Sequence, residues 1–522
     1  MSHKKEYRFE NRYVITGFLT VRTPLHIGSG DTTTHPKLKK EDDTNIKIAA
    51  VAKDINKKPY IPASTLKGNL RAWLATRVID KSLLEKVFGG SHKEKNAEGG
   101  KAEFSESYID KELTEKPELT FPYWIQEQQT GVQVGVTIDR RTRTARDEKL
   151  FYWEVVPPNV TFKVRITGQN LQDKELALLL ATLDGFNHSQ SPITLGSETA
   201  QNQGKMRWHS FKVQYLDAAQ TIAWLKDDER KMWFENLPDI KEAKQATLIK
   251  DGEKLLYEES TRPTLRLHLQ LQFDSPFLVN DPSKEVKGKH NFQPRRDANG
   301  NPLLPAKSFR GAIRSQAERI IRTLGGKACW IDEAKPACEQ VEKVAEVAEV
   351  KDRCLCLACQ LFGTTGWQTP IRISDFTLVH PQGKFDQDFV AIDRFTGGSC
   401  EHAKFRATVS NAPLLEGTWK IDLLRVEPWG LGLLALLIRD LMEGDVTFGY
   451  GAAKGYGHAH LEIKDYTINT LEDCFPDEDV NWQGLDPGKP QEWQNKLLRT
   501  FIQKKLVWAF RQKCKPSKEE KN

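Results

Sequence analysis

The sequence predicts an α+β protein made of two similar domains in tandem. At 522 residues the chain is longer than one hydrophobic core usually supports. A segment of 15 residues, PYIPASTLKGNLRAW at 59–73, recurs without a gap as PLLPAKSFRGAIRSQ at 302–316. Strand-like runs precede both copies, RYVITGFLTVRTPLHI at 12–27 and TLRLHLQLQF at 264–273, and apolar helix-like runs follow them. We therefore divide the chain into a first domain at 1–215, a linker at 216–263, a second domain at 264–465 and a C-terminal extension at 466–522.

The composition is that of a globular protein without a membrane segment. Lys and Arg number 77 against 71 Asp and Glu, a net charge of +6, which is compatible with nucleic acid but does not by itself indicate it. No apolar run is long enough to span a membrane, and the charged opening MSHKKEYRFENRY is unlike a secretory signal. We therefore expect a cytoplasmic protein that has no membrane partner.

The repeated segment has the features of a helix start. Pro-x-x-Pro favours an extended arm, because proline disfavours helix at its own position and at the one before it. Ser64 or Thr65 in the first copy, and Ser308 in the second, are suitable N-cap residues. Each copy therefore predicts an extended arm that leads into a capped helix.

A glycine and two cations follow each predicted cap. Gly68 and Gly311 would allow close backbone approach, and free N–H groups in a first helical turn attract phosphate. The cations are spaced i, i+4 and so share one helix face. They are Lys67 and Arg71 in the first copy and Arg310 and Arg314 in the second. Because the arrangement is duplicated, we favour a phosphate-binding helix start over the alternative, a capped helix with solvated cations.

The run Ile-Pro-Ala-Ser-Thr-Leu-Lys-Gly-Asn-Leu-Arg at 61–71 resembles the signature of the RAMP superfamily, the RNA-binding proteins of CRISPR systems. Within it the chain resembles the backbone subunits of type III effectors, and its two fused copies resemble the double-backbone subunit of type III-D. The resemblance implies two ferredoxin-like (RRM-like) domains with βαββαβ cores. It also implies three kinds of partner: a guide CRISPR RNA, a complementary target RNA and other subunits of a type III CRISPR effector.

Ile-Asp-Arg occurs in both copies ahead of a polar segment, at 138–140 and at 392–394. The segment resembles the thumb hairpin of the RAMP superfamily, which wedges between bases of the guide–target duplex. Basic side chains there suit phosphate contacts. They are Arg140, Arg141, Arg143 and Arg146 in the first copy and Arg394 in the second. The alternative is a solvated hairpin tip, and the recurrence of the motif favours RNA contact.

A glycine-rich run, FGYGAAKGYG at 448–457, follows the second apolar helix. It resembles the RAMP loop that packs against RNA backbone. The RNA contacts that this implies are Gly449, Lys454 and Gly455. The first copy keeps Gly196 and Gly204 at matching positions but loses the other glycines and the lysine, so we expect weaker RNA contact there. Glycine-rich loops by themselves are a weak indication of function.

Five of the eight cysteines lie in an insertion at 325–360, which the first copy lacks. Without an export signal, such clustering favours metal over disulfides, and Cys356-Leu-Ala-Cys359 has the spacing of a zinc chelate. The candidates for two further ligands are Cys338 and Cys354, and after them Cys329. Related RAMP proteins also carry Cys-x-x-Cys just before Leu-Phe-Gly, so the resemblance supports a structural Zn²⁺. Five free thiols in a reducing cytosol are the alternative.

A loop aspartate follows the first strand of each copy. The two are Asp31 and, by an alignment in which the loops differ by about two residues, Asp281. The resemblance implies that this aspartate cleaves target RNA with Mg²⁺ or another divalent cation. RNA carries its own nucleophile, the 2′-hydroxyl, so a carboxylate and a cation can suffice.

Other functions remain open at this point. A scaffold of the same fold would bind guide RNA without cleaving the target, and both aspartates would be turn residues. A stand-alone endoribonuclease that processes guide precursor is disfavoured, because no histidine-based acid–base set is recognisable. The basic amphipathic run at 492–513 predicts a C-terminal helix, either docked on the second domain or bound to a partner.

Overall fold

The computed structural model describes most of the chain. The described residues are 8–39, 44–90, 99–114, 123–139, 145–189, 191–226, 237–257, 263–281, 291–297, 299–329, 338, 355–364, 367–380, 383–469 and 506–514. Among the helices in these ranges, none combines the length and apolar character that crossing a membrane requires.

The first domain is built on a six-stranded antiparallel sheet. The ten strands described in the domain, which form two sheets, are β1 (Asn11–Val21), β2 (Gly28–Lys39), β3 (Asn45–Val51), β4 (Tyr60–Ile61), β5 (Ala102–Phe104), β6 (Ser107–Lys111), β7 (Gly131–Ile138), β8 (Ala145–Val155), β9 (Thr161–Gln169) and β10 (Met206–Asp217). Helices in the domain and just after it are α1 (Ala63–Ala75), α2 (Lys81–Phe88), α3 (Asp173–Asp184), α4 (Ala218–Leu225) and α5 (Glu242–Glu253). The main sheet has the order β10-β1-β9-β6-β4, with β5 also paired to β9, and a second sheet has the order β2-β3-β8-β7.

The second domain repeats this plan. Its strands are β11 (Thr264–Phe273), β12 (Asn291–Phe292), β13 (Leu303–Leu304), β14 (Ile371–Ile373), β15 (Phe376–Leu378), β16 (Lys384–Ile392), β17 (Ser399–Ser410), β18 (Leu414–Asp422) and β19 (Ala459–Asn469). Its helices are α6 (Ala306–Thr323), α7 (Leu357–Phe362), α8 (Pro428–Met442) and α9 (Leu506–Cys514). The main sheet has the order β13-β15-β18-β11-β19, with β14 also paired to β18, and the other sheet has the order β12-β17-β16. The repeat in sequence is therefore also a repeat in topology.

Each main sheet packs one face against the helices of its own domain. In β11 the residues Leu265, Leu267, Leu269 and Leu271 alternate with polar ones, and all four leucines are buried. They join Phe309 and Ile313 of α6 in one core, because side chains two apart in a strand point to the same face. Ile15 and Leu19 of β1 pack in the same way with helices α1 and α3 in the first domain.

The helices of the repeated segment begin earlier than predicted. Helix α1 begins at Ala63 and α6 at Ala306, directly after Pro62 and Pro305. The predicted caps, Ser64, Thr65 and Ser308, lie inside the first turn. The prediction of a serine or threonine N-cap was therefore wrong. Proline occupies the N-cap position in both copies, and carboxylates from distant residues bind the first helical N–H groups instead.

Each domain receives one further helix from the chain that follows it. Helix α5, within the predicted linker, packs on α3 so closely that a Cβ at Gly252 would lie 2.1 Å from Ala177 O. Helix α9 packs on α8 in the same manner, and a Cβ at Gly432 would lie 2.1 Å from Leu506 O. The described part of the C-terminal helix is thus docked on the second domain.

The two domains meet through unlike faces. In the loop between Gly196 and Gly204 of the first domain, Asn202 Nδ2 donates to Asp375 Oδ2 of the second domain at 3.4 Å. Lys307, in the first turn of α6, places Nζ 4.2 Å from the ring centroids of both Phe151 and Trp153 on β8. Burial lowers the pKa of Lys307. The aromatic faces offset part of that cost through cation–π attraction.

Candidate nucleic-acid interface and metal centre

The starts of α1 and α6 already hold a negative charge. Ala63 N donates to Glu106 Oε2 at 2.9 Å, and Ala306 N donates to Asp375 Oδ1 at 2.8 Å. Burial raises the pKa of Asp375, while the hydrogen bonds from Ala306 and Asn202 act to lower it. Because these carboxylates occupy the positive end of each helix dipole, a phosphate bound at the N–H groups themselves would have to displace them. The predicted phosphate contact at the helix start is therefore restricted to the side of the helix.

The glycines on that side are open. Gly68 and Gly311 are both exposed, and a Cβ built on either would have no atom within 4 Å. Neither glycine is required by a turn or by packing among the described residues. Since glycine is the poorest ordinary residue for a helix interior, its presence here has no internal cause.

The cations beside Gly68 are uncommitted. Lys67 and Arg71 are half-buried, and neither side chain makes an ion pair or hydrogen bond with another described residue. Both are therefore available to an external anion next to the open glycine.

The corresponding cations of the second domain are committed to internal contacts. Arg310 donates to Phe362 O, and burial, together with Arg314, lowers its pKa to about 10. Arg314 donates to Gly363 O at 2.9 Å and pairs with the buried Glu318 at 3.0 Å. Although burial opposes it, the neighbouring Cys359 and the carboxylate of Glu318 raise the pKa of Arg314. The structure thus places the predicted phosphate ligands Arg310 and Arg314 within the domain rather than on its surface.

Four cysteines come together beneath Arg314. They are Cys329, Cys338, Cys356 and Cys359, and their sulfur atoms lie within 4.8 Å of one another. Cys329, which the sequence analysis favoured least among the candidates, belongs to the set. Cys354 lies outside the described residues. The backbone N–H groups of Cys329 and Cys359 both point to Cys356 Sγ at 3.4 Å.

The donor set fits a tetrahedral thiolate site. Hydrogen bonds from the thiols of Cys329 and Cys359 lower the pKa of Cys356, which favours a thiolate there. Arg314 Nη2 donates to Cys359 Sγ at 3.2 Å, so a fixed cation offsets part of the negative charge of four thiolates. The cluster could therefore hold a metal such as zinc in the closed geometry of structural sites.

The glycine-rich loops of the two domains have the same backbone course. The second has left-handed residues at Gly449, Gly451, Gly455 and Gly457, and the first at Gly196, Glu198, Asn202 and Gly204. These positions differ by 253 throughout (449 − 196, 451 − 198, 455 − 202, 457 − 204). The first loop therefore keeps its shape although two of its glycines are replaced, which the sequence did not indicate.

Lys454 rests on an aromatic platform at the tip of the second loop. Its Nζ lies 4.9 Å from the ring centroid of Tyr450, 5.5 Å from Phe405 and 5.9 Å from Phe389. The residue remains exposed, as does the neighbouring Gly455, where a Cβ would have no atom within 4 Å. The loop tip is thus a positively charged, accessible surface.

The predicted thumbs are antiparallel hairpins, β7–β8 and β16–β17. Arg140, Arg141 and Arg143 lie outside the described residues, and only the backbone of Arg146 is described. In the second hairpin Arg394 is exposed, and Asp393 shapes the tip by accepting N–H bonds from Phe395 at 2.7 Å and Thr396 at 2.9 Å. Phe395 is 100% exposed and Ile392 66%. Sequence reasoning missed Phe395, although an aromatic residue after a repeated Ile-Asp-Arg motif was a usable signal.

The two loop aspartates have different surroundings. Asp31 is exposed at a bulge between β2 and β3, and its carboxylate makes no bond with another described residue. Asp281 is buried, with 9% of its surface exposed, and its N–H donates to Gln293 O at 2.9 Å.

The backbone hydrogen bonds near the two loops also place these aspartates at non-equivalent positions. Gly204 N donates to Pro24 O and Gly457 N to Pro276 O, both at 2.9 Å, which sets an offset of 252 (276 − 24). By that count Asp281 stands opposite Ser29 (281 − 252). The pairing of Asp281 with Asp31 stays a prediction, because residues 282–290 are not described.

Comparison with protein families adds an independent finding. The profile of the RAMP superfamily matches residues 18–201 and 245–460, more than half of the chain. The two matched segments correspond to the two repeated sheets with their helices, hairpins and glycine loops. A search of curated proteins finds no match.

Proposed function

Because the chain belongs to the RAMP superfamily, we propose that it is an RNA-binding backbone subunit of a type III CRISPR effector, with two backbone units fused as in type III-D. Family membership implies a CRISPR RNA and the subunits of an effector complex as its partners. A ferredoxin-like core in each domain is supported by the strand order, β10-β1-β9-β6 and β19-β11-β18-β15. When only these four strands of each domain are numbered in chain order, both sheets have the order 4-1-3-2, which is that of a ferredoxin-like fold.

One observation carries the RNA-binding proposal: the open glycine in each repeated helix. Glycine at an exposed helix position costs about 0.5–1 kcal/mol relative to alanine, and nothing near Gly68 requires it. An RNA backbone lying across this face would require it, because a side chain would hold the phosphates away. Lys67 and Arg71 stand beside the glycine to bind those phosphates.

Gly68→Leu tests this proposal by separating folding from binding. We expect the melting temperature to stay the same or rise, because leucine favours helix and meets no atom there. Guide RNA should bind about tenfold more weakly, a loss of about 1.4 kcal/mol. The matched control is Ala243→Leu, a similar enlargement at an exposed position of α5. Equal RNA affinity in the two variants would refute contact at this glycine.

We also propose that Asp31 takes part in metal-dependent cleavage of the target RNA. The proposal is supported by the exposed carboxylate, which has no partner among the described residues, and by its place on a strand bulge, since bulges often re-aim a side chain at a functional site. The 2′-hydroxyl of the target would attack the adjacent phosphorus and displace the 5′-oxygen of the next nucleotide. Asp31 would hold a divalent cation such as Mg²⁺, which would supply positive charge to the phosphate. Asp281 is the matching candidate in the second domain.

Asp31→Asn in the assembled complex tests cleavage. We expect one target cut to slow at least about 100-fold, because asparagine keeps the shape but not the charge. Guide and target affinities should be unchanged, and Asp251→Asn on α5 is the surface control. Normal cutting by Asp31→Asn would favour the non-catalytic scaffold. Asp281→Asn should remove a second cut only if the sequence alignment of the loops is correct.

A further inference from the structure

Two histidines and an aspartate lie together at the end of the main sheet of the second domain. Asp274 follows β11, His458 precedes β19, and His460 is the second residue of β19. Their ligand atoms lie within 4.8 Å of one another. His458 Nδ1 is 2.8 and 2.7 Å from the two Asp274 carboxylate oxygens, and His460 Nε2 is 3.6 Å from Asp274 Oδ2. The three side chains are roughly half exposed, so one side of the cluster faces solvent.

The backbone around this cluster is fixed. His458 N donates to Ser275 Oγ at 2.8 Å, and Asp274 N donates to His458 O at 3.3 Å. Gly444, with φ of +80°, closes the site from one side. A Cβ there would lie 2.8 Å from both His458 Nε2 and His460 Cε1, so the imidazoles pack against bare backbone.

The hydrogen bond at His460 Nδ1 indicates that a positive charge is needed beside Nε2. His460 Nδ1 lies 3.1 Å from Met442 O, and since a carbonyl only accepts, Nδ1 carries the proton. In a neutral ring the Nε2 lone pair is then directed at the Asp274 carboxylate. Two electron-rich atoms 3.6 Å apart repel unless a positive charge neutralises them. That charge is either a second ring proton or a bound metal, and metal-ligating histidines characteristically donate their other N–H to a backbone carbonyl.

The distances at Asp274 lie on either side of those in a zinc site. Zinc ligands at about 2.0–2.1 Å in a tetrahedron stand about 3.3 Å apart. The nitrogen–oxygen separations at Asp274 are 2.7 Å to His458 and 3.6 Å to His460, on either side of that value. The separation at His458 is that of a hydrogen bond, so a bound metal would have to replace this bond.

The first domain repeats the backbone of this site without its ligands. Lys205 N donates to Thr23 Oγ1 at 2.9 Å and Arg22 N donates to Lys205 O at 2.8 Å, the same two bonds as at His458 and Asp274. The positions of Asp274, His458 and His460 are taken there by Arg22, Lys205 and Arg207 (274 − 252, 458 − 253, 460 − 253). Three cations on one backbone thus correspond to three metal ligands on the other. A bound divalent ion, offset by the Asp274 carboxylate, would restore only part of the positive charge that the first domain carries there in three side chains.

We propose that Asp274, His458 and His460 form a second metal site, which binds a divalent transition metal such as Zn²⁺. Two imidazole nitrogens and one carboxylate oxygen are a donor set that such ions favour. Three protein ligands leave at least one coordination position for water or an anionic oxygen, and the solvent-facing side of the cluster is where it lies.

Metal analysis of the full chain, equilibrated with Zn²⁺ alone, tests the proposal. We expect about two ions per chain, one at the cysteine cluster and one here, and about one in Asp274→Ala or His460→Ala. His268→Ala is the matched control, because His268 Nε2 is also 3.6 Å from a carboxylate oxygen, Glu416 Oε2, but belongs to no described group of three ligands. It should retain both ions.

Substitution with Co²⁺ gives a readout that distinguishes the two sites. Thiolate-bound cobalt absorbs through sulfur charge transfer, whereas cobalt on nitrogen and oxygen ligands shows only weaker d–d bands. His460→Ala should lose the second spectrum and keep the first, and its melting temperature without metal should match that of His268→Ala. If Asp274→Ala and His460→Ala hold as much metal as His268→Ala, the cluster is an imidazolium–carboxylate pair and the proposal is wrong.

Discussion

Helices α1 and α6 share a start after proline, an open glycine and the same spacing of cations, but they use the cations differently. Lys67 and Arg71 of α1 have no partner among the described residues. Arg310 and Arg314 of α6 bind the turn after α7, and Arg314 also binds a cysteine of the four-cysteine cluster. Of these three acceptors only Cys359 lies in the segment at 325–360 that the first domain lacks, whereas Phe362 and Gly363 lie just after it.

The comparison separates two parts of one motif. The open glycine is retained in both helices, so the proposed role of admitting an external backbone would be common to the two domains. The cations are retained as residue types, yet in the second domain they stabilise the cysteine cluster and the turn at Phe362 and Gly363. If the glycines do contact RNA, the two copies of the motif share a backbone function, while the cations of the second copy have a structural one.

Cys356→Ser is expected to have the largest effect on one domain alone. Zinc bound at such a site contributes on the order of 10 kcal/mol to folding. We expect bound zinc to fall by about one per chain and the second domain to unfold at a lower denaturant concentration, with the first domain unchanged. Cys400→Ser on β17, outside the cluster, is the control. A fully folded wild-type chain without metal in the cysteine cluster would rule out this role for zinc.

Arg314→Ala and Arg71→Ala should affect different properties, the first the stability of the fold and the second RNA binding. Loss of Arg314 weakens the compensation of the buried Glu318, and we expect the free energy of unfolding to fall by about 3 kcal/mol. Arg71→Ala should change it by less than about 0.5 kcal/mol.

The effect of Arg71→Ala should instead be seen in RNA binding. Arg71→Ala should reduce the slope of log K against log salt for guide RNA by about 0.7, the share of one phosphate contact. Denaturant unfolding and salt titrations of RNA affinity measure the two effects. Equal losses of stability in both variants would contradict the division of roles between the helices.

The smallest predicted effect concerns a row of cations that the first domain lacks. Burial, then Arg372, Arg77 and Arg266, lower the pKa of Lys420 to about 8, from an ordinary 10.5. Between these values the unfolded chain binds more protons, so stability should rise with pH from about 8 to 10.5. Lys420→Met should flatten that rise in denaturant unfolding, because methionine does not titrate. An unchanged pH profile would assign the rise to another group.

The same sheet positions in the first domain contain no such row. Val14 pairs with Thr167, and Thr167 with Glu103, where the second domain pairs Arg266 with Lys420 and Lys420 with Arg372. The predicted pH response therefore arises at a lysine of the second domain, with a contribution from Arg77 of the first domain.

Local patterns predicted the repeat and the elements that carry it. The alternation of Leu265 to Leu271 predicted a strand with one buried face, because strand periodicity is a local property. Cys356 and Cys359 were recognised for the same reason, as a spacing of three positions along the chain.

Contacts made by distant residues were the ones that sequence could not supply. Cys329 joins Cys356 across 27 positions, and Arg314 meets Gly363 across 49. Residues of α6 and α7 pack in one core, which brings these positions together. Glu106 and Asp375 took the place of the expected N-caps for the same reason, since carboxylates distant in sequence reach the first helical N–H groups.

The contact between the domains gives the chain a direction. It joins the glycine-loop side of the first domain to the helix-start side of the second, through Asn202 with Asp375 and Lys307 with β8. Joining unlike faces does not close after two units. Each end of the pair therefore presents a different face to solvent, Ser64 and Glu106 at one end and Lys454 and Gly455 at the other. The two ends of the chain are therefore different surfaces, and a partner would have to use a different face of its own to bind each of them.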